Sequence, residues 1–186
     1  ENKPIWFMRQ AGRYLPEFRE IRKLNPDFIN LCLNSNLSTD ITIQPLKRFD
    51  LSAAIIFSDI LMVPYGLKQQ VNFKKNFGPI LGEIDLEDTS EEDFIKKLKP
   101  IYNCINKVKS NHLIKNKNLI GFVGAPWTLL VYMINKKSPK KKVDTNFFKN
   151  KNLIGFVGAP WTLLVYMINK KSPKKEIDNI FLNNQN

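Results

Sequence analysis

Histidine and cysteine are almost missing: the 186 residues hold one histidine, His112, and two cysteines, Cys32 and Cys104. A single histidine excludes a His-rich metal cluster within these residues and leaves no Ser-His-Asp triad. Two cysteines cannot build a disulfide framework, and without Cys-x-x-Cys spacing they offer no zinc site, so a reducing compartment is the default expectation. Glycine is sparse too, at 8 residues. Gly121-Phe-Val-Gly124 is not a dinucleotide fingerprint, and no Gly-Lys-Ser/Thr follows it, so a phosphate-cradling loop is not indicated. Arginine is absent beyond Arg48. No segment reads as a signal peptide, and the first residue is Glu1 rather than Met, which leaves open a leader upstream of it.

What is present bounds the class. Apolar residues at 43% and charged residues at 25% exclude a disordered tail and a membrane bundle. The length suits one domain with a sizeable core but falls short of the roughly 250 residues typical of a (β/α)₈ barrel. The net charge of +12 would, by itself, point to a polyanionic partner.

An internal repeat relocates that charge. Residues 115–141, KNKNLIGFVGAPWTLLVYMINKKSPKK, recur letter for letter at 149–175, an offset of 34 residues. Solenoid repeats share a pattern but differ in letters, and a Gly-Pro break lies where a solenoid needs helix, so a helical repeat array is rejected. Identity inside and divergence just outside (Lys142 against Glu176) read as a recent in-frame duplication or an assembly error. Each copy carries six lysines and no acid, so the two together account for the whole +12, while the remainder balances 17 basic against 17 acidic residues. The charge is therefore no nucleic-acid footprint.

Periodicity predicts an α/β order. Pro16 and Pro26 bracket a short helix over Glu17 to Leu24. Thr39 and Asp40 resemble a helix start. Ala53 to Phe57 reads as a strand buried on both faces, ending at Ser58 and Asp59. Residues 64–82 carry Pro64, Gly66, Gly78, Pro79 and Gly82 and read as a long loop or hairpin. Ser90 caps a helix whose apolar face is Phe94, Leu98, Ile101, Ile105 and Val108, kinked or divided by Pro100. Leu119 to Val123 reads as a second buried strand, and Pro126 opens another helix that Ser138-Pro139 ends. In such folds the site lies at the C-terminal ends of the strands, which points to Asp59 and to Gly124 through Thr128.

Two features carry chemistry. Arg9 and Arg13 flank Gln10-Ala11-Gly12, and an arginine fork grips carboxylates bidentately. The segment is either an anion-gripping element or a solvated charged arm. Asp59, after an apolar run, is either desolvated for chemistry or satisfied by backbone amides. Trp6, Trp127 and Trp161 read as core or pocket wall, and His112 as a surface residue near a helix end. Asn118 to Asn135 is uncharged, but Gly121, Gly124 and Pro126 argue against a membrane hairpin.

Three long segments carry a resemblance: PIWFMRQAGRYLPEFREIR, QPLKRFDLSAAIIFSDILMVP and IGFVGAPWTLLVYM. They closely resemble the signatures of the uroporphyrinogen decarboxylase family, in the family's order, covering residues 4–134 almost continuously. The resemblance implies a (β/α)₈ TIM barrel, usually a homodimer, that removes carbon dioxide from the four acetate arms of uroporphyrinogen III to give coproporphyrinogen III in haem synthesis. It implies no metal or organic cofactor, no nucleic acid and no membrane. It also implies roles. Arg9 and Arg13 become clamps for a substrate with eight carboxylates, and an arginine is the family's suggested proton source. Arg22 and the backbone at Ala11 match further substrate-contacting positions. Asp59 matches the carboxylate that accepts hydrogen bonds from the pyrrole N–H groups. Tyr132 matches the tyrosine approaching from the last motif, with Tyr166 its duplicate.

Departures from the family are as informative. A substrate-binding serine and histidine on later strands have no counterpart here. Residues 1–142 read as the N-terminal portion of the barrel, incomplete, and 143–186 as the duplicated strand–helix segment with a short tail. The expectation is that this polypeptide alone is poorly folded and inactive. A corrinoid-linked methyltransferase, which would share the barrel, needs Cys/His zinc ligands that are missing. A non-enzymatic interaction fragment from a duplicated gene is the other class. The resemblance implies a cytoplasmic location, or a plastid one if a leader precedes Glu1.

Overall fold

The computed structural model describes residues 3–74, 76–84 and 89–138. The expected second strand–helix copy, with Trp161 and Tyr166, lies outside the described residues.

Three helices come first. α1 spans Pro16–Leu24, with the proline at its first position, where its missing N–H costs nothing. α2 spans Phe28–Leu33, capped by Asp27 accepting from the Asn30 amide. α3 spans Ser35–Arg48. Its cap is Asn34, whose side chain accepts from the amides of Asn36 and Leu37. The expected start at Thr39 is thus corrected by a full turn: Thr39 sits inside the helix and donates to the Ser35 carbonyl at 2.6 Å. An exposed bidentate pair between Arg48 and Glu17 ties the end of α3 back to α1. It holds the Glu17 carboxyl at about 2, well below the usual range.

β1 follows at Ala53–Ile55, then a short helix α4 at Met62–Gly66. The loop-rich stretch becomes an antiparallel hairpin, β2 (Val71–Lys74) with β3 (Gly78–Leu81), turning through Gly78 at φ 84°. α5 spans Glu91–Lys109, with Ser90 accepting from the Asp93 amide and three acids in its first turn. Pro100 lies within it and does not divide it. A single 3₁₀ turn, His112–Ile114, leads into β4 (Asn118–Ile120) and then α6 (Pro126–Asn135), again with proline first. The helix ends at Lys136 in the left-handed region, φ 56°, three residues before Pro139.

β1 and β4 pair in parallel, Ala53 opposite Asn118 and Ile55 opposite Ile120. α5 is the crossover between them. It packs on α3, and together they cover one face of β1 through Ile43, Leu46, Ala54, Ile56, Cys104 and Val108. The expected strand buried on both faces is only partly so, since Ile55 and Phe57 stay half-buried. The described residues therefore form a mixed α/β unit with a two-stranded parallel sheet, and no closed barrel is present among them. No described helix is long and apolar enough to cross a membrane.

α4 and α5 meet at Gly66. A Cβ there would sit 2.5 Å from Cε2 of Phe94 and 3.1 Å from Cδ1 of Leu98. Gly66→Ala is therefore expected to lower stability by about 1–3 kcal/mol through overpacking. Urea denaturation measures this.

Candidate functional site

The Met8–Tyr14 segment is held beside the sheet by a residue that the sequence patterns did not single out. Gln10 is buried, and its amide takes the place of a neighbouring strand. Its Nε2 donates to the Ala53 carbonyl at 2.8 Å, and its Oε1 accepts from the Ile55 amide at 3.0 Å. Those are the groups of β1 that face away from β4. Tyr14 Oη donates to the Gln10 carbonyl, and the Leu15 amide donates to that of Gly12 at 3.0 Å. Upstream, Ile5 and Ser52 exchange hydrogen bonds of 2.9 and 2.8 Å. Replacing Gln10 with alanine strands two backbone groups of β1 and releases the segment. The expected cost is about 2–4 kcal/mol, since each buried unpaired group costs roughly 1–3. Loss of protection at the Ile55 amide in hydrogen exchange would mark the same event.

A cleft of about 380 Å³ opens between this segment and the ends of the parallel strands. Arg9, Ala11 and Arg13 line one side, Ile55 through Ser58 the floor, and Phe122, just past β4, the far wall. Arg9, Ala11 and Arg13 thus lie together along the cleft. The five arginines also divide by employment. Arg19 donates to the Arg13 carbonyl at 2.8 Å, Arg22 to the Asn25 carbonyl at 2.7 Å, and Arg48 pairs with Glu17. Arg9 and Arg13 are exposed, and neither forms an ion pair among the described residues. Among the described residues they are the two arginines left available to an incoming anion.

Asp59 stands just beyond the cleft floor, two residues after Phe57. The floor is fixed from below by the buried Thr42, which accepts from the Phe57 amide at 2.9 Å and donates to the Ser38 carbonyl at 2.7 Å. Asp59 Oδ1 accepts from the Leu61 amide at 2.8 Å. Burial pushes its carboxyl above the ordinary value, and that one hydrogen bond opposes the rise. Asp59 is thus both desolvated and fastened by the backbone. Beneath it, burial and the Asp59 charge push the Cys32 thiol up, so this cysteine stays neutral.

Two other expected residues are not brought to the cleft. The Arg22 guanidinium closes the α1–α2 turn and lies 5.3 Å from the centre of the Phe28 ring. Tyr132, on α6, packs among Leu61, Met62 and neighbouring apolar side chains, with its hydroxyl 3.4 Å from Ser138 Oγ. Trp6 and Trp127 correct a further expectation: at 46% and 61% exposed they are neither core nor cleft wall. His112 is exposed, as expected. No cluster of three His, Cys, Asp or Glu side chains among the described residues is placed to hold a metal.

Fold and cleft together define a mixed α/β protein that presents two uncommitted arginines at the C-terminal ends of parallel strands. The family model of uroporphyrinogen decarboxylase matches residues 1–150. The chain is 47% identical over 141 residues to the uroporphyrinogen decarboxylase of Rickettsia felis, covering 72% of this chain and 39% of that protein. It is 46% identical over 145 residues to that of Rickettsia massiliae, covering 74% of this chain and 40% of that protein. The chain belongs to the uroporphyrinogen decarboxylase family, and it spans about 40% of the length of these curated relatives.

Proposed function

We propose that this chain supplies the N-terminal part of a uroporphyrinogen decarboxylase, residues 1–142 forming the front of a TIM barrel and 143–186 a duplicated segment. The observation that carries the reading is the pair of unpaired arginines, Arg9 and Arg13, facing a cleft whose floor leads to a desolvated aspartate. The substrate is a tetrapyrrole with eight carboxylates. Arg9 and Arg13 grip its acid arms, with Ala11 offering backbone contact.

Asp59 accepts hydrogen bonds from the pyrrole N–H groups. The chemistry needs an anion there. A proton adds to a pyrrole ring carbon, making the ring a cationic electron sink. The bond from the acetate methylene to its carboxylate then breaks, its electron pair flows into the ring, and carbon dioxide leaves. The exocyclic methylene takes up a proton to become a methyl group, and the ring carbon gives back the proton it first accepted, which restores the neutral pyrrole. A fixed carboxylate in a water-poor cleft stabilises the developing cation. Arg22 and Tyr132, which lie away from this cleft, join the substrate site only if the surrounding chain shapes it further. Tyr166 has the same role as Tyr132 in the second copy. The complete enzyme is a cytoplasmic homodimer, or a plastid one if a leader precedes it.

The described residues pack apolar cores of their own, so, against the expectation of poor folding, a polypeptide of these 186 residues is expected to bind the substrate's oxidised form without turning the substrate over. Titration with uroporphyrin, read by quenching of tryptophan fluorescence, tests the binding. Saturable one-to-one quenching supports the reading. Quenching that never saturates, or is no stronger for uroporphyrin than for a porphyrin lacking carboxylates, contradicts it.

A further inference from the structure

On the β4 side, the place beside β1 is held by residues that the chain possesses twice. Asn118 donates its amide to the Ser52 carbonyl at 3.0 Å, and the Ile120 carbonyl accepts from Ile56 at 3.0 Å. Lys117 Nζ reaches the Asp50 carboxylate at 2.9 Å and the Leu51 carbonyl at 2.7 Å. Met133 lies in the core with Ile29, Cys32 and Leu61, and its carbonyl accepts from the buried Gln69 at 3.1 Å. The Lys136 carbonyl accepts from the Leu81 amide at 2.8 Å, its ammonium pairs with Glu83, and Lys137 bridges to Ile80. Thirty-four positions later the sequence has Lys151, Asn152, Ile154, Met167, Lys170 and Lys171, the same residues in the same order. Nothing in these contacts tells one copy from the other.

We infer that the strand–helix position beside β1 is degenerate: either residues 115–141 or residues 149–175 can occupy it, one displacing the other within the same molecule. The two arrangements differ mainly in chain closure. Seating the first copy joins it directly to the turn at His112–Ile114. Seating the second leaves 34 residues to be closed as a loop, which disfavours it by a factor of roughly 10². The first copy therefore predominates, and the second is a reserve. Phe122 of the first copy lines the cleft, and the second copy carries the same residue type at the matching position, Phe156.

Disabling one copy at a time tests this. In Met133→Asp the first copy would place a charge in the core. Without a substitute that costs at least roughly 10⁴-fold in the folding constant, combining lost packing with a buried unpaired charge. With the second copy available, the expected loss for Met133→Asp stops near 10²-fold. Met167→Asp alone stays close to the parent, and the double variant shows the full loss. Deleting 115–148, so that Ile114 joins Lys149, leaves a folded chain in which Met167→Asp costs the full amount. A readout independent of stability is disulfide formation mapped by mass spectrometry. A53C/N118C crosslinks in the parent, and A53C/N152C crosslinks once Met133→Asp is added. The inference is overturned if Met133→Asp alone costs as much as the double variant, if the deleted chain does not fold, if A53C/N152C never crosslinks, or if the rescue disappears on dilution.

Discussion

In the uroporphyrin titration, Arg9→Gln/Arg13→Gln is expected to weaken binding by about 10- to 100-fold. A hydrogen bond between charged partners contributes roughly 1.5–3 kcal/mol. Two such contacts would exceed 100-fold, but both arginines are exposed, so solvent screening takes part of it. A charge-matched control separates clamping from bulk attraction: Lys96→Gln/Lys99→Gln removes two exposed cations from α5 and is expected to leave binding nearly unchanged. Raising salt should weaken the parent more than the arginine variant. Equal losses in the two double variants would reduce Arg9 and Arg13 to a charged arm.

Asp59→Asn is expected to raise stability while removing function. Burial raises the Asp59 pKa above its ordinary 3.8, so the folded state holds its proton more tightly than the unfolded one. Stability is then lost as pH rises through the raised pKa, and the penalty is absent below the unfolded value. The amide carries no such penalty and can still accept from Leu61. Its melting temperature should exceed the parent's at neutral pH, and the gap should close toward pH 3. With the carboxylate gone, the pyrrolic cation loses its counter-charge, a loss of roughly 10²–10³ in turnover where turnover occurs. A stabilised but ineffective variant is the usual sign of a group placed for chemistry rather than for folding.

The sequence pattern made α5 legible, because Ser90 and the acids after it mark the start and the apolar spacing marks the buried face. The two parallel strands were legible as apolar runs between turn signals. The second was expected to be buried over Leu119 to Val123, whereas β4 ends at Ile120 with no buried residue and leaves Phe122 and Val123 exposed. α2 was not legible, since its six residues, Phe28–Leu33, are too few to show a period. The start of α3 was misplaced by a turn: Asn34 caps it by accepting from the Asn36 and Leu37 amides, and Thr39 lies inside it with its hydroxyl on the Ser35 carbonyl. At the site, spacing singled out Arg9 and Arg13 around Gln10-Ala11-Gly12, while Ala11 itself came only from the family resemblance. The role of Gln10 was not legible, because its partners Ala53 and Ile55 lie more than forty positions away, and an amide standing in for a strand has no sequence signature. The exposure of Trp6 and Trp127 reverses the habit of burying tryptophan, which residue type alone cannot foresee.

The most direct measurement is decarboxylation of uroporphyrinogen by a chimera in which residues 1–138 replace the matching part of the Rickettsia felis enzyme. A chimera with cooperative thermal unfolding that converts uroporphyrinogen to coproporphyrinogen, and loses that conversion on Asp59→Asn, is the predicted result. A chimera that unfolds just as cooperatively but releases no carbon dioxide, or one whose turnover survives Asp59→Asn unchanged, would contradict the assignment of the cleft.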